Sequence, residues 1–331
     1  MNQLNRTIIG IETTCDDTGI GIFHENKVVA NIILSSDYLH QKYGGVVPEI
    51  AARLHEEKLL YALNQALESS NLQLDDITHI AFADRPGLPG CLHVGKVFAK
   101  TLSLQLNLPI IFVNHLYSHI FSSEINNKKI KYPCLGLVVS GGHTSIYLLN
   151  TAENIILLDE TIDDAIGEVY DKVGRALGLS YPCGSKIDKL YESSKSTSIK
   201  FLNSSTKHEA FSYSGIKTAV INYINKLTIN NKPIDKQEIA SSFQYLIISD
   251  FIKRVKFYLK TYPVKSIALG GGVSANSLLR EELKKLGIEV ILPEMQYTGD
   301  NGAMHAYYAN VLLNETNDED KLSLPFFKRK N

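Results

Sequence analysis

The sequence predicts an α/β protein made of two related lobes, for three reasons. At 331 residues it exceeds what one core of ordinary size fills and is long enough for two. Short apolar, β-branched runs alternate with longer stretches of helical period. A pattern of strand, polar or glycine-rich turn, strand, turn, strand occurs twice, from Ile8 and again from Cys134, as an internal duplication would leave it.

In the first block Thr7 to Glu12 is apolar and β-branched and reads as a buried strand. Thr13 to Thr18 is a polar turn, Gly19 to Phe23 a second strand, and Lys27 to Ile33 a third. Gly44-Gly45-Val46-Val47-Pro48 reads as a loop. From Glu49 to about Ser69, Ile50, Leu54, Leu59, Leu63 and Leu67 recur at helical spacing and predict a long amphipathic helix. His79 to Ala83 is a strand ended by Arg85-Pro86-Gly87-Leu88-Pro89-Gly90, and His93 to Leu106 is helical. Pro109 to Val113 is a strand leading into Asn114, a good helix N-cap.

The second block repeats the layout. Leu135-Gly136-Leu137 is followed by the turn Ser140-Gly141-Gly142-His143-Thr144, then Ser145 to Leu149 and Ile155 to Asp159. Asp163 to Gly178 is predicted as a helix with an acidic first turn. Tyr181 to Ser185 turns into a helix bearing Asp188, Phe211 to Gly215 precedes a helix from Ile216, and Glu238 to Leu259 is a long helix. Lys265 to Leu269 is a strand running into Gly270-Gly271-Gly272 and a helix to about Leu286. Val290 to Leu292 is the last strand, and Thr298 to Met304 opens a final helix. The predicted lobes are 1–128 and 129–300, with 301–331 returning to the first.

Composition removes several classes. Apolar residues make up 44% and charged residues 21%, so the chain is globular. A net charge of −1 gives no overall attraction for a polyanion, so a nucleic-acid partner needs a local basic patch or a helper protein. Cys15, Cys91, Cys134 and Cys183 form no C-x-x-C pair, which argues against a zinc knuckle or a disulfide framework. No signal peptide and no run of membrane-spanning length is read, so the cytoplasm is the expected compartment and no membrane contact is expected. The densest internal basic cluster is Lys128-Lys129-Ile130-Lys131, and Lys328-Arg329-Lys330 is a short basic tail.

Three features carry chemistry. A helix starting after Asn114 would place His115 and His119 at i and i+4 on one face, a spacing that lets two imidazoles grip one divalent ion. The Ser140-Gly141-Gly142 turn is rich in backbone donors, as an anion-binding nest is. The three glycines from Gly270, between strand and helix, form a second phosphate-type turn.

In order along the chain, I-G-I-E-T-T-C-D-D from Ile9, Y-G-G-V-V-P-E from Tyr43, N-H-L-Y-S-H from Asn114, V-S-G-G-H-T from Val139, D-D-A-I-G-E-V-Y-D-K from Asp163, F-S-Y-S-G-I-K-T from Phe211, G-G-G-V-S-A-N from Gly270 and G-D-N-G-A-M from Gly299 resemble the tRNA N6-adenosine threonylcarbamoyltransferase family, bacterial and organellar branch. The family was once described as an O-sialoglycoprotein endopeptidase. The resemblance implies a duplicated actin-like fold of the sugar-kinase and Hsp70 type, two lobes with a central cleft. It implies transfer of threonylcarbamoyl from threonylcarbamoyl-AMP to N6 of adenosine 37, in tRNAs reading codons that begin with adenine, with release of AMP. It implies one divalent metal, iron or alternatively zinc, on His115, His119 and Asp300. It implies adenylate binding by Val138, Val139, Ser140, Gly141, Gly142, Asp171, Gly184, Asp188 and Asn276, and it makes Asp16 and Asp17 candidate acid/base groups. The implied partners are tRNA, a smaller non-catalytic paralogue of the same fold and a separate ATPase subunit. Three positions depart from the usual motifs: Arg85 before Pro86-Gly87, Cys183 within Pro182-Cys183-Gly184-Ser185, and Asp17 where glutamate is usual.

The phosphate-type turns also allow an actin-like ATPase or small-molecule kinase, a reading that leaves the two helix histidines unexplained. A metalloprotease needs a glutamate beside the first helical histidine, and Leu116 stands there. A purely structural relative would have no use for His115, His119 and Asp300 together.

Overall fold

The computed structural model describes residues 6–201 and 211–316; the basic tail Lys328-Arg329-Lys330 lies outside the described residues. The chain divides into two compact units. One holds the residues up to Lys128 and those from Pro293 onward, the other those from Lys129 to Leu292. Where the sequence returns the chain at 301, the structure returns it at Pro293, so Asp300 stands in the first unit with the two histidines.

In the first unit, strands β1 (Thr7–Glu12), β2 (Thr18–His24), β3 (Lys27–Leu34), β4 (His79–Arg85) and β5 (Ile110–Asn114) form one sheet in the order β3-β2-β1-β4-β5. The β1–β2 and β2–β3 pairs are antiparallel, while β1–β4 and β4–β5 are parallel. Helices α1 (Asp37–His40), α2 (Pro48–Ser70), α3 (Pro89–Leu106) and α4 (His115–Ser122) lie along the same stretch of chain. Ile9, Ile11, Ile20, Ile22 and Phe82 bury one sheet face against Leu59 and Leu63 of α2. The predicted loop through Gly90 is shorter than expected. Pro89 already occupies the first turn of α3, a place where its fixed φ and missing N–H cost nothing.

The second unit repeats the sheet. Strands β6 (Cys134–Val139), β7 (Thr144–Leu149), β8 (Ile155–Glu160), β9 (Ser266–Gly270) and β10 (Glu289–Ile291) run in the order β8-β7-β6-β9-β10 with the same two antiparallel and two parallel pairings. Even a register shift recurs, at Ile22/Phe23 between β2 and β3 and at Ile146/Tyr147 between β7 and β8. Its helices are α5 (Ile166–Ala176), α6 (Gly184–Leu190), α7 (Ser214–Ile229), α8 (Lys236–Thr261) and α9 (Ser277–Lys284). Leu135, Leu137, Val169, Phe243, Ile247 and Phe251 fill its core.

Two local expectations change. Asp163 and Asp164 do not open α5, which starts at Ile166. They precede it and hold the start of α7 instead: Asp163 accepts from the backbone N–H of Tyr213 at 2.8 Å, and Asp164 takes Lys172 at 2.7 Å, Lys217 at 2.6 Å and the Ser214 hydroxyl. After Gly270 the chain makes a 3-10 turn over Gly272–Ala275 before α9, so the glycines do not feed a helix directly.

The last helix, α10 (Gly302–Glu315), crosses β1 and β2 at backbone contact. A Cβ at Gly302 would fall 2.5 Å from the Gly10 carbonyl oxygen and 2.7 Å from the Ile20 carbonyl carbon, and one at Gly10 would fall 2.6 Å from the Ala306 nitrogen. Real Cβ atoms do not approach so closely, and backbone cannot yield as a flexible side chain can. We therefore expect Gly10→Ala to lower stability by about 3 kcal/mol, whereas Gly45→Ala, which meets open space, stays within about 0.5 kcal/mol. Thermal or urea unfolding of the two variants checks both values, and equal effects would contradict the close approach.

Candidate functional site

In the first unit Asn114 ends β5 and caps α4, its side-chain oxygen accepting from the N–H of Leu116 at 2.8 Å and of Tyr117 at 3.2 Å. That cap orients α4 so that His115 and His119 face Asp300, which precedes the N-cap of α10. The Asp300 Oδ1 lies 3.0 Å from His119 Nε2 and 3.6 Å from His115 Nε2. Atoms that share a four-coordinate ion at about 2.1 Å stand about 3–3.5 Å apart. Two imidazole nitrogens and one carboxylate oxygen are also a donor set that ferrous iron and zinc accept.

The protonation tendencies of His119 and Asp300 agree with that use. Burial pulls His119 down against its hydrogen bond with Asp300, so the ring favours the neutral form that has a lone pair to donate. Burial would raise Asp300, but the charges of His115 and the hydrogen bond from His119 hold it below the usual carboxylate range. Burial would lower His115, yet the Glu12 and Asp300 charges push it up to about 9, so near neutrality this ring keeps both protons until a cation displaces the one on Nε2. The residues present therefore suit one divalent cation.

A second layer stands behind His115. Glu12, the fully buried last residue of β1, lies 2.8 Å from His115 Nδ1 and 2.6 Å from His305 Nε2, and also accepts from the backbone N–H of Thr14. Burial alone would raise Glu12, but the charge and hydrogen bond of His115 and the hydrogen bond of His305 hold it well below its ordinary value. The sequence singles out neither Glu12 nor His305. The available signal is an acidic residue ending an otherwise apolar strand, and a histidine among the small and apolar residues of α10.

Asp16 and Asp17 lie in the β1–β2 turn. His55 of α2 holds that turn, with Nδ1 2.8 Å from the Thr18 hydroxyl and Nε2 2.9 Å from the Cys15 carbonyl. Burial raises Asp16 to about 6, opposed by a hydrogen bond with Cys15 and aided by the charges of Asp37 and Asp300. Burial raises Asp17 to about 7, with Asp300 and Asp16 adding repulsion.

The second unit gathers the other predicted residues. Val138 and Val139 are buried in β6. Beyond them the Ser140 N–H donates to the His143 carbonyl at 2.8 Å, closing a turn that leaves the backbone of Gly141 and Gly142 exposed. Gly167 at the start of α5 supports this turn from behind: its N–H donates to the Ser140 carbonyl at 3.1 Å, and a Cβ there would fall 2.6 Å from the same oxygen. Asp171 accepts from the Cys183 N–H at 2.7 Å and so fixes the start of α6. Cys183 is buried with its side chain against Gly174, leaving Gly184 next to open space. Asp188 and Asn276 meet directly, with Asn276 Nδ2 donating to Asp188 Oδ1 at 3.1 Å and to Gln244 Oε1 at 2.9 Å. Gln244 returns a bond from Nε2 to Asp188 at 2.9 Å, and the Tyr170 hydroxyl donates to Gln244 Oε1 at 3.2 Å. The sequence misses Gln244 and Tyr170, whose signal is a buried polar position within apolar helix faces.

Comparison with solved structures assigns the fold. Component A of the (R)-2-hydroxyglutaryl-CoA dehydratase of Acidaminococcus fermentans matches with a TM-score of 0.56 at 15% identity, covering 94% of this chain and all of that one. Full-length HypF in its phosphate- and nucleotide-bound form matches with a TM-score of 0.62 at 13% identity, covering 95% of this chain and 47% of its own. The fold is the actin-like ATPase fold. Sequence comparison is more specific. The profile of the tRNA N6-adenosine threonylcarbamoyltransferase family matches residues 27–307. Proteins of that name from Mycoplasma pneumoniae and Mycoplasmoides gallisepticum are 50% and 51% identical, each over 94% of this chain and over 98% and 99% of their own. The chain belongs to the tRNA N6-adenosine threonylcarbamoyltransferase family, and it is a transferase that forms N6-threonylcarbamoyladenosine on tRNA. Among the described residues, no helix is long and apolar enough to cross a membrane.

The turn carrying Asp17 gives a pH signature. Its folded value, about 7, lies above the ordinary unfolded one, so the fold favours the neutral acid. That contribution is full at low pH and is lost as pH rises through about 7. In chelator-treated protein, Asp17→Asn should therefore melt higher than the wild type by a margin that grows from pH 4 to pH 8. A margin that is flat or shrinks across this range would contradict the burial of Asp17.

Proposed function

We propose that the donor is threonylcarbamoyl-AMP and the acceptor is N6 of adenosine 37 in tRNAs that read codons beginning with adenine. The convergence of His115 Nε2, His119 Nε2 and Asp300 Oδ1 carries this reading. These residues would hold one divalent ion, iron first and zinc as the alternative, which when bound supplies Lewis-acid polarisation of the acyl group. Each turnover makes the bond from N6 to the carbamoyl carbon, breaks the carbon–oxygen bond to the AMP phosphate, and removes one proton from N6. Asp16 and Asp17, raised by burial to about 6 and about 7, are suited to take such a proton near neutrality.

In the second unit, the exposed backbone at Gly141 and Gly142, next to Val138, Val139 and Ser140, can approach a phosphate without hindrance. Asp171 and Asp188 would accept from ribose or nucleoside donors, with Gly184 leaving room and Asn276 holding Asp188. Two substitutions separate the roles. His115→Ala should abolish transfer and lower metal content, while Asn276→Ala should weaken adenylate binding at unchanged metal content. Metal content comes from elemental analysis and adenylate affinity from calorimetry; full metal and full activity in His115→Ala would refute the assignment.

The partner reading is that tRNA is engaged together with a smaller paralogue of the same fold and a separate ATPase. The net charge of −1 supports it, since this chain alone has little attraction for a polyanion. Helix α2 buries Ala51, Leu59 and Leu63 in its own unit but leaves Leu60 and Tyr61 more than half exposed. The isolated chain should give weak or single-turnover activity on unmodified tRNA with threonylcarbamoyl-AMP, and sustained turnover once both partners and ATP are present. Rapid multiple turnover by the chain alone, unchanged by partners, would overturn the partner reading.

A further inference from the structure

We propose that Glu12 is a positioning residue for the metal ligand His115 and that His305 holds Glu12 in place for that task; this rests on the metal reading above. The distances decide between two uses of the cluster Glu12, His115 and His305. Its atoms lie within reach of a single ion, which makes a second metal site the competing reading. Separations of 2.8 Å and 2.6 Å from the Glu12 oxygen are shorter than the about 3–3.5 Å between ligands that share an ion. They are hydrogen-bond distances between a ring N–H and a carboxylate. The set His115, His119 and Asp300, at 3.0 and 3.6 Å, is wider.

An imidazole that ligates an ion is neutral and carries one proton on one of its two nitrogens. With Nδ1–H donating to Glu12, the His115 lone pair is on Nε2, the nitrogen that faces Asp300. The Thr14 hydroxyl, 3.2 Å from the same Nδ1, is the weaker partner. A carboxylate only accepts, so it enforces this tautomer; an amide in its place could donate to Nδ1 and move the proton to Nε2, where it blocks the ion. Glu12 itself has little freedom. One side takes the backbone N–H of Thr14, and the other takes Nε2–H of His305 from α10. His305 Nδ1 is buried with no hydrogen-bond partner, so its Nε2 bond to Glu12 is the polar contact that accounts for a histidine there. Outer carboxylates of this kind change metal affinity by about 10–100-fold when removed.

The test uses the full chain and Zn²⁺ alone as the probe, with affinity read by competition against a chromophoric chelator. Glu12→Gln should bind Zn²⁺ about 10–100-fold more weakly, and His305→Leu should show a smaller loss in the same direction. Long-range 1H–15N NMR of the zinc-loaded wild type gives a readout that needs no variant: His115 should carry its proton on Nδ1. Wild-type affinity in Glu12→Gln, or a His115 proton absent from Nδ1, overturns the inference while leaving the metal reading standing. A wild type that binds no ion, or His119→Ala binding as tightly as the wild type, overturns the metal reading and this inference with it.

Discussion

The first unit depends on how closely α10 can lie on β1 and β2. Gly10 and Gly302 let backbone meet backbone there, and the helix N-terminus settles against β1 at Gly10 and β2 at Ile20 and Gly21. Asn301 caps the helix, its side-chain oxygen accepting from the Met304 N–H at 2.9 Å, so the chain direction just before it is fixed. Asp300 and His305 flank that cap and are set together: one meets the histidines of α4, the other meets Glu12 at the end of β1. A helix held off by even one methyl group would disturb both contacts at once.

Such a constraint explains how the unit tolerates several ionisable groups in its interior. A buried carboxylate or imidazole standing alone is expensive, and each remains only because partners are supplied with good geometry. Glu12 takes three donors, Asp300 takes the His119 ring at 3.0 Å with His115 3.6 Å away, and His55 is bonded at both nitrogens. In the second unit the buried Asp164 keeps two lysines as partners, whereas Asp188 relies on neutral donors. Asp188 accepts from Gln244, Asn276 and Ser277, so its charge is spread over amide and hydroxyl hydrogens without a buried counter-ion.

Much of this is legible in the chain before any coordinates. The strands appear because buried β-branched runs such as Thr7–Glu12 and Cys134–Val139 have few alternatives, and α4 appears because Asn114 caps it. His115 and His119 are visible because their separation is local. Asp300 comes only from the family resemblance, since a residue 181 positions from His119 leaves no periodic trace. Glu12, His305, Gln244 and Tyr170 escape for the same reason: each has meaning only through a partner on another element. Asp163 and Asp164 mislead because acidic residues before a helix look like its first turn, whereas tertiary partners on α7 claim them. Cys183 looks like an intrusion into a glycine turn, yet Gly174 provides the space that its side chain needs.

The duplication gives the same hairpin two chemistries. In each unit the first two strands of the sheet are antiparallel neighbours, and the turn joining them projects from the same end of a sheet of the same order. In the first copy this turn is Thr13 to Asp17, with carboxylates that burial raises to about 6 and about 7. In the second it is Ser140 to His143, with exposed glycine backbone and no carboxylate. Under the proposed function, the first turn would exchange protons and the second would receive an anion. The strands around them stay alike because they carry the core, while the turns differ in packing as well as in chemistry, the first holding Thr13 and Thr14 buried and the second exposing Gly141 and Gly142.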